Sequence, residues 1–355
     1  MKMNSQNNTL EKVKEYYGRV LKSSKDLKTT ACCVAESIPT HLRELISHIH
    51  PEVKDRFYGC GSTFPAELKG KTVLDLGCGS GRDVYLLSQL VGESGTVYGI
   101  DMTDEQLSVA RQHEEYHREK FGFNKSNVKF VKGFIEDLES SGIASNSIDV
   151  IVSNCVINLS PDKERVFAEI FRVLKPGGEL HFSDVFCDRR LPAWCAEDNI
   201  LLGECLGGAM YVQDFRRTLM KIGVLDYRIV KSSPIALTDT EVMSKVGFAK
   251  FSSLTVRAFK IDSLEDRCED YGQVAFYRGS IPEFPNAFTL DDHHYFEKDK
   301  PLLVCSNTAA MLTETRYKDH FRVEGNLDKH FGLFDCSPSE SKNFDTSENV
   351  QGACC

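Results

Sequence analysis

Two groups of residues in this chain have the types and spacing to do chemistry. The first is thiol. Among 355 residues there are thirteen cysteines, and Cys155 stands where an apolar run, Val150-Ile151-Val152, breaks into the polar pair Ser153-Asn154. Thiolates are nucleophiles and soft-metal ligands. No C-x-x-C pair occurs; the close pairs, Cys32-Cys33 and Cys354-Cys355, are directly adjacent, and the histidine pairs His48/His50 and His293/His294 lie near no cysteine. A zinc ribbon or finger is therefore not expected. The second group is the stretch VLDLGCGSGRD, Val73 to Asp83, where Gly77, Gly79 and Gly81 follow an apolar segment. An acid, Asp75, precedes these glycines, and another, Asp101, ends the next apolar segment.

Glycines in such a turn let backbone N–H groups approach a ligand without a Cβ clash. A carboxylate at the position of Asp101 can accept both hydroxyls of a ribose. Dinucleotide sites favour G-x-G-x-x-G, which brings a pyrophosphate to a helix N-terminus. Here the spacing is G-x-G-x-G behind an acid, a setting that suits a cation better than a pyrophosphate. S-adenosylmethionine carries a sulfonium and an ammonium and no phosphate, so it is expected in preference to NAD. The candidate cofactor contacts are Asp75, Gly77, Cys78, Gly79, Asp101 and Met102, joined by Asn154 beside Cys155. Ile135 and Glu136, in GFIEDL, are placed at the adenine, with Phe134 where many related folds carry an aspartate. The Cys78 thiol itself reads as a packed apolar group.

The elements that must position these residues follow a repeating pattern. KTVLDL, GTVYGID, NVKFVK, SIDVIVSN and ELHFSDV read as strands, and helices fall between them. Thr103 and Gln106 stand at capping-box spacing before one helix, and Ser160-Pro161 opens another. Strands alternating with helices predict a doubly wound α/β sheet of parallel strands. Ligands of such sheets bind at the carboxyl ends of the strands, where the strand order reverses. With the first and fourth strands flanking that point, the Cys155 thiol is expected beside the methyl donor.

The expected organisation is a helical N-terminal lid over residues 1–65, a core over 66–225, an α+β region over 226–323 and a disordered tail over 324–355. A helix is expected over residues 8–28, and FSSLTVRAFKI, GQVAFYRGS and PLLVCS are expected as strands of the C-terminal region. Apolar residues make up 41% and charged residues 27%, ordinary for a globular protein. A net charge of −9 with no basic block argues against nucleic-acid binding. The start lacks the apolar core of a secretory signal and no run reaches membrane-spanning length. These features predict a cytoplasmic protein with reduced thiols, off the membrane and monomeric.

Across YYG (Tyr16–Gly18), ACC (Ala31–Cys33), YGCG (Tyr58–Gly61), DLGCGSGRD, GIDMT, SNCVINL and GECLGGA (Gly203–Ala209), the sequence resembles the arsenite methyltransferases. The resemblance runs through about residue 225 and loosens beyond it. It implies a seven-stranded, Rossmann-like S-adenosylmethionine-dependent methyltransferase core. It further implies an As(III) site built from Cys60, Cys155 and Cys205, with a redox-active fourth thiol at Cys32 or Cys33, of which Cys32 is chosen. Tyr58 and Gly59 would contact the cofactor, and thioredoxin or glutathione would serve as reductant. Cys187 and Cys195 match none of the family's arsenic thiols and read as bystanders, and Trp194 as a helix anchor. Two other readings compete: a methyltransferase for a small organic acceptor such as a quinone or sterol, and a cofactor-binding thiol protein that senses soft metals without turnover.

Overall fold

The computed structural model describes residues 13–14, 40–57, 63–203 and 205–335. Cys32, Tyr58, Gly59, Cys60 and most of the helix expected over 8–28 lie outside the described residues.

Two short helices, α1 (Thr40–Ser47) and α2 (Pro51–Asp55), precede the sheet. The chain then alternates: β1 (Thr72–Leu76), α3 (Arg82–Val91), β2 (Thr96–Asp101), α4 (Asp104–Gln112), α5 (Glu114–Phe121), β3 (Val128–Lys132), β4 (Ile148–Asn154), α6 (Lys163–Val173) and β5 (Leu174–Cys187). After β5 come α7 (Asn199–Gly203), β6 (Met210–Tyr211), α8 (Val212–Lys221), β7 (Arg228–Ile235), α9 (Thr240–Val246) and β8 (Phe251–Phe259). The sheet order is β3-β2-β1-β4-β5-β8-β7, with the two-residue β6 paired to β5. Strands β1 to β5 are parallel. The reversal of order falls between β1 and β4, which pair directly through Asp75↔Val152 and Leu76↔Ser153.

The parallel strands read as continuous apolar runs because helices cover both faces. Val84, Leu87 and Val91 of α3 and Leu107 of α4 bury one face, and Val166, Phe167 and Ile170 of α6 with Phe215 of α8 bury the other. Two capping expectations fail for a common reason. Thr103 makes no side-chain cap for α4, because its hydroxyl is drawn to the buried Asp101 carboxylate. Helix α6 begins at Lys163 with Asp162 as its N-cap, the carboxylate accepting from Arg165 N; Ser160 instead donates to Glu136 at 2.5 Å.

The sheet also runs past residue 225. β8 lies antiparallel beside β5 and β7 beside β8, so FSSLTVRAF, read from sequence as part of the C-terminal region, is a strand of the central sheet. Beyond it, Gln273–Tyr277 pairs with Pro301–Val304 and Phe321–Glu324, and α10 (Ser306–Thr313) packs on them. Residues 324–335 fall in the expected disordered tail, yet Gly332–Leu333 pairs antiparallel with Glu269–Asp270. Among the described residues no helix is long and apolar enough to cross a membrane.

Candidate active site

A cleft opens at the carboxyl ends of β1, β2 and β4. It is lined by Asp75, Gly77, Cys78, Gly79, Asp101, Met102, Ile135, Glu136, Asn154 and Cys155, which are the expected cofactor contacts among the described residues together with the candidate thiol. Arg56, Phe57, Ser80, Asp83 and Thr103 line it as well. Sequence reasoning passed over these five; an acid in the first turn of the helix after the glycine turn was the available signal for Asp83.

The glycine turn holds its shape by contacts a side chain would destroy. Gly77 has φ +72° and donates its N–H to Ile100 O at 2.8 Å; a Cβ there would lie 2.4 Å from a methyl of Val156. Gly79 has φ +52°, and a Cβ built there would meet nothing within 4 Å. The Gly79 N–H donates to Asp101 Oδ2 at 2.9 Å, and Thr103 N donates to Oδ1 at 2.8 Å. The Cys78 thiol packs on Gly99 and is buried.

Three acids converge here. Asp75 and Asp83 are each 4% exposed. Burial and the neighbouring Asp83 and Asp101 carboxylates push the Asp75 carboxyl well above its usual range. Burial also raises Asp101, against the opposing N–H bonds of Thr103 and Gly79. Arg82 partly neutralises the group through its 2.6 Å pair with Asp83, while its guanidinium lies over the Phe57 ring. Excess buried negative charge of this kind is relieved by a cationic ligand. The charge of this group therefore fits a cationic ligand such as S-adenosylmethionine.

Beside this cleft lies a thiol-rich apolar cluster. Cys155, Cys187, Cys195 and Cys205 are all buried in it with Val13, Leu159, Val185, Leu201 and Leu206. Cys155 extends β4 by donating its N–H to Ser183 O at 2.8 Å, then turns with φ +57°. Cys205 has φ +60°, and its Sγ donates to Cys155 O at 3.5 Å. Two cysteines fifty residues apart thus meet, and Cys155 lines the cleft. Cys155 is disulfide-bonded. Burial raises the Cys187 and Cys195 thiols. Trp194, expected to anchor a helix, is 47% exposed in the turn before α7.

The segment from α2 to Phe57 is fastened to this site. Ser80 Oγ donates to Val53 O at 3.0 Å and to Arg56 O at 3.4 Å. His50 caps α2 by accepting from Glu52 N and donates its own N–H to His117 Nε2. Val13 is buried against the thiol cluster and also lines the cleft.

Residues 67–223 match the model of a methyltransferase domain, and residues 270–354 that of the arsenite methyltransferase C-terminal domain. The chain is 55% identical to the arsenite methyltransferase of Aquipseudomonas alcaligenes, over 92% of this chain and 93% of that one. It is 42% identical to the arsenite methyltransferase of Homo sapiens, over 94% and 88%. Among solved structures it resembles an arsenic (III) S-adenosylmethionine methyltransferase from Chlamydomonas reinhardtii. The TM-score is 0.81 at 49% identity, covering 84% of this chain and all of that one.

Proposed function

The chain belongs to the arsenite methyltransferase family, and from that premise we propose that it methylates trivalent arsenic held by the thiolates of Cys60, Cys155 and Cys205. The enzyme is an S-adenosylmethionine-dependent methyltransferase. The observation that carries the ligand assignment is the meeting of Cys155 and Cys205, both buried, where the thiol cluster borders the acidic cofactor cleft. Cys60 enters by the family resemblance, as do Tyr58 and Gly59 as cofactor contacts.

Soft thiolates select a soft, lone-pair-bearing centre such as As(III). Three of them leave the lone pair pointing out of a pyramid. Asp75, Asp101 and the Gly77–Gly79 backbone, with Glu136 and Ile135 toward the adenine, would hold S-adenosylmethionine, which when bound would supply an electrophilic methyl group. The nucleophile carries no proton, so no general base is required. Positioning is then the protein's main contribution, worth on the order of 7–11 kcal/mol for well-oriented reactants. The apolar wall of Leu159, Val185, Leu201 and Leu206 excludes water from the thiol side.

Accepting a methyl cation uses the arsenic lone pair and raises arsenic formally from trivalent to pentavalent. Two thiols closing into a disulfide return two electrons and restore trivalent arsenic. A dithiol or glutathione reductant then reopens the disulfide, and thioredoxin or glutathione fits that task in a reducing cytoplasm. That Cys155 occurs in a disulfide supports its competence for this step; Cys32 is the proposed fourth thiol. The chain is proposed to act as a soluble monomer without nucleic-acid partners.

The test is product analysis after incubation with arsenite, S-adenosylmethionine and excess thiol reductant. Serine at Cys155 or Cys205 is expected to lower methylation by about 100-fold or more, with cofactor affinity retained. Unchanged arsenite in the wild-type reaction, with cofactor still bound, would instead favour an organic acceptor or a sensor.

A further inference from the structure

What holds the two thiol loops together lies outside the cysteines themselves. Asp184 is fully buried near the end of β5. Its Oδ2 accepts from Asn158 N at 3.0 Å and its Oδ1 from Val185 N at 2.9 Å. Asn158 returns a bond, its Nδ2 donating to Val185 O at 2.5 Å. The loop that leaves β4 through Cys155 is therefore fastened to β5 a few residues further on.

The other side of the same loop receives the Cys205 segment. A Cβ on Gly208 would lie 1.9 Å from Asn158 O, and one on Gly207 would lie 2.3 Å from Cys195 O. Neither glycine is among those with positive φ. Their backbones suit any residue, and glycine is required only because another backbone passes so close. That approach puts Cys205 Sγ on Cys155 O.

We propose that Asp184, Asn158 and Gly208 form a clasp that sets the spacing of the Cys155 and Cys205 thiols and so governs bidentate capture of trivalent arsenic. The inference rests on the reading that these two cysteines are ligands. Two thiols on separate loops bind one centre with an effective concentration fixed by how closely the loops are held. A displacement of the loops therefore weakens two-point capture while leaving each thiol chemically unchanged. Asp184 and Gly208 are positioning residues in this scheme.

The experiment uses the reduced full-length protein and two probes: phenylarsine oxide, which requires two thiols, and iodoacetamide, which requires one. Gly208→Ala is expected to lower phenylarsine oxide affinity about tenfold or more. Its iodoacetamide reactivity at Cys205 and its S-adenosylmethionine affinity should match the wild type. Asp184→Asn turns an amide N–H₂ toward one of the two backbone donors, and should show the same split with a smaller loss. In turnover, both variants should raise the KM for arsenite more than they lower kcat. Should Gly208→Ala lose cofactor binding as well, Asp184→Asn decides by the same comparison. Unchanged arsenical affinity in the deciding variant, while Cys155→Ser lowers it, overturns the clasp. Unchanged affinity in Cys155→Ser overturns the ligand reading instead.

Discussion

Asp184 shows at the scale of one residue how a binding site and a stability cost can share an atom. Burial pushes its carboxyl up to about 7, although the N–H groups of Asn158 and Val185 and the Lys163 cation pull the other way. In the unfolded chain the same group ionises near 3.8. Between those values the folded protein keeps a proton that the unfolded chain has lost. The stabilisation from this residue is thus complete below the lower value and disappears as pH rises through the upper one. The full swing is on the order of 4 kcal/mol. Asp184→Asn cannot ionise, so its melting temperature relative to wild type is expected to climb between roughly pH 4 and pH 7 and to level off above that. Thermal melts across that range check this, and a flat difference would remove Asp184 as the titrating group. The left-handed backbones of Cys155 and Cys205 belong to the same balance, since each costs a non-glycine residue roughly 1–3 kcal/mol that the clasped loops must offset.

At the scale of elements, α2 is held by contacts from three others. Ser80 binds its backbone from the glycine turn, and His113 Nε2 reaches Glu52 from the end of α4 at 2.9 Å. The His50 and His113 rings stack at 3.7 Å. Ser80→Ala removes two buried acceptor contacts and is expected to cost about 1 kcal/mol. Because Arg56 and Phe57 continue from α2 into the cleft, the same change should raise the KM for S-adenosylmethionine more than it lowers kcat. Steady-state kinetics that moved kcat alone would detach α2 from cofactor binding. Strands β1 to β5, the glycine turn and its acids were legible in sequence because each is a local pattern. The residues that dock α2 were not, since positions 50, 52, 80, 113 and 117 meet only after folding. The hydroxyls of Thr103 and Ser160 were misread for a related reason. Each found a carboxylate, Asp101 or Glu136, that its own segment does not reveal.

For the whole molecule, the strands after residue 225 were visible as apolar runs while their partners were not. Antiparallel pairing of β8 with β5 joins positions as far apart as Glu179 and Phe259, and nothing local encodes that choice. One buried carboxylate fixes the resulting arrangement. Glu179, on the early half of β5, pairs with Arg257 of β8 at 2.9 Å and with Arg316 at 2.6 Å. Arg316 also donates to Ala66 O, and Arg257 to Leu290 O. The entry to the core, the central sheet and the C-terminal region therefore converge on Glu179. Burial alone would raise its carboxyl, but the Arg257 and Arg316 cations hold it down to about 2. Its stabilisation is present above the ordinary value of 4.5 and is lost as pH falls through the lowered one. Glu179→Gln leaves two buried guanidinium groups short of a counter-charge, which typically costs about 3–5 kcal/mol. Urea unfolding at neutral pH should show a loss of that size, and the variant should lack the wild type's extra loss of stability below about pH 4.5. Methylation should fall only with the folded fraction, because Glu179 lies on the half of β5 remote from Asp184 and the thiols. A variant that stayed fully folded yet lost arsenite turnover would show that β5 transmits more than stability between its two halves.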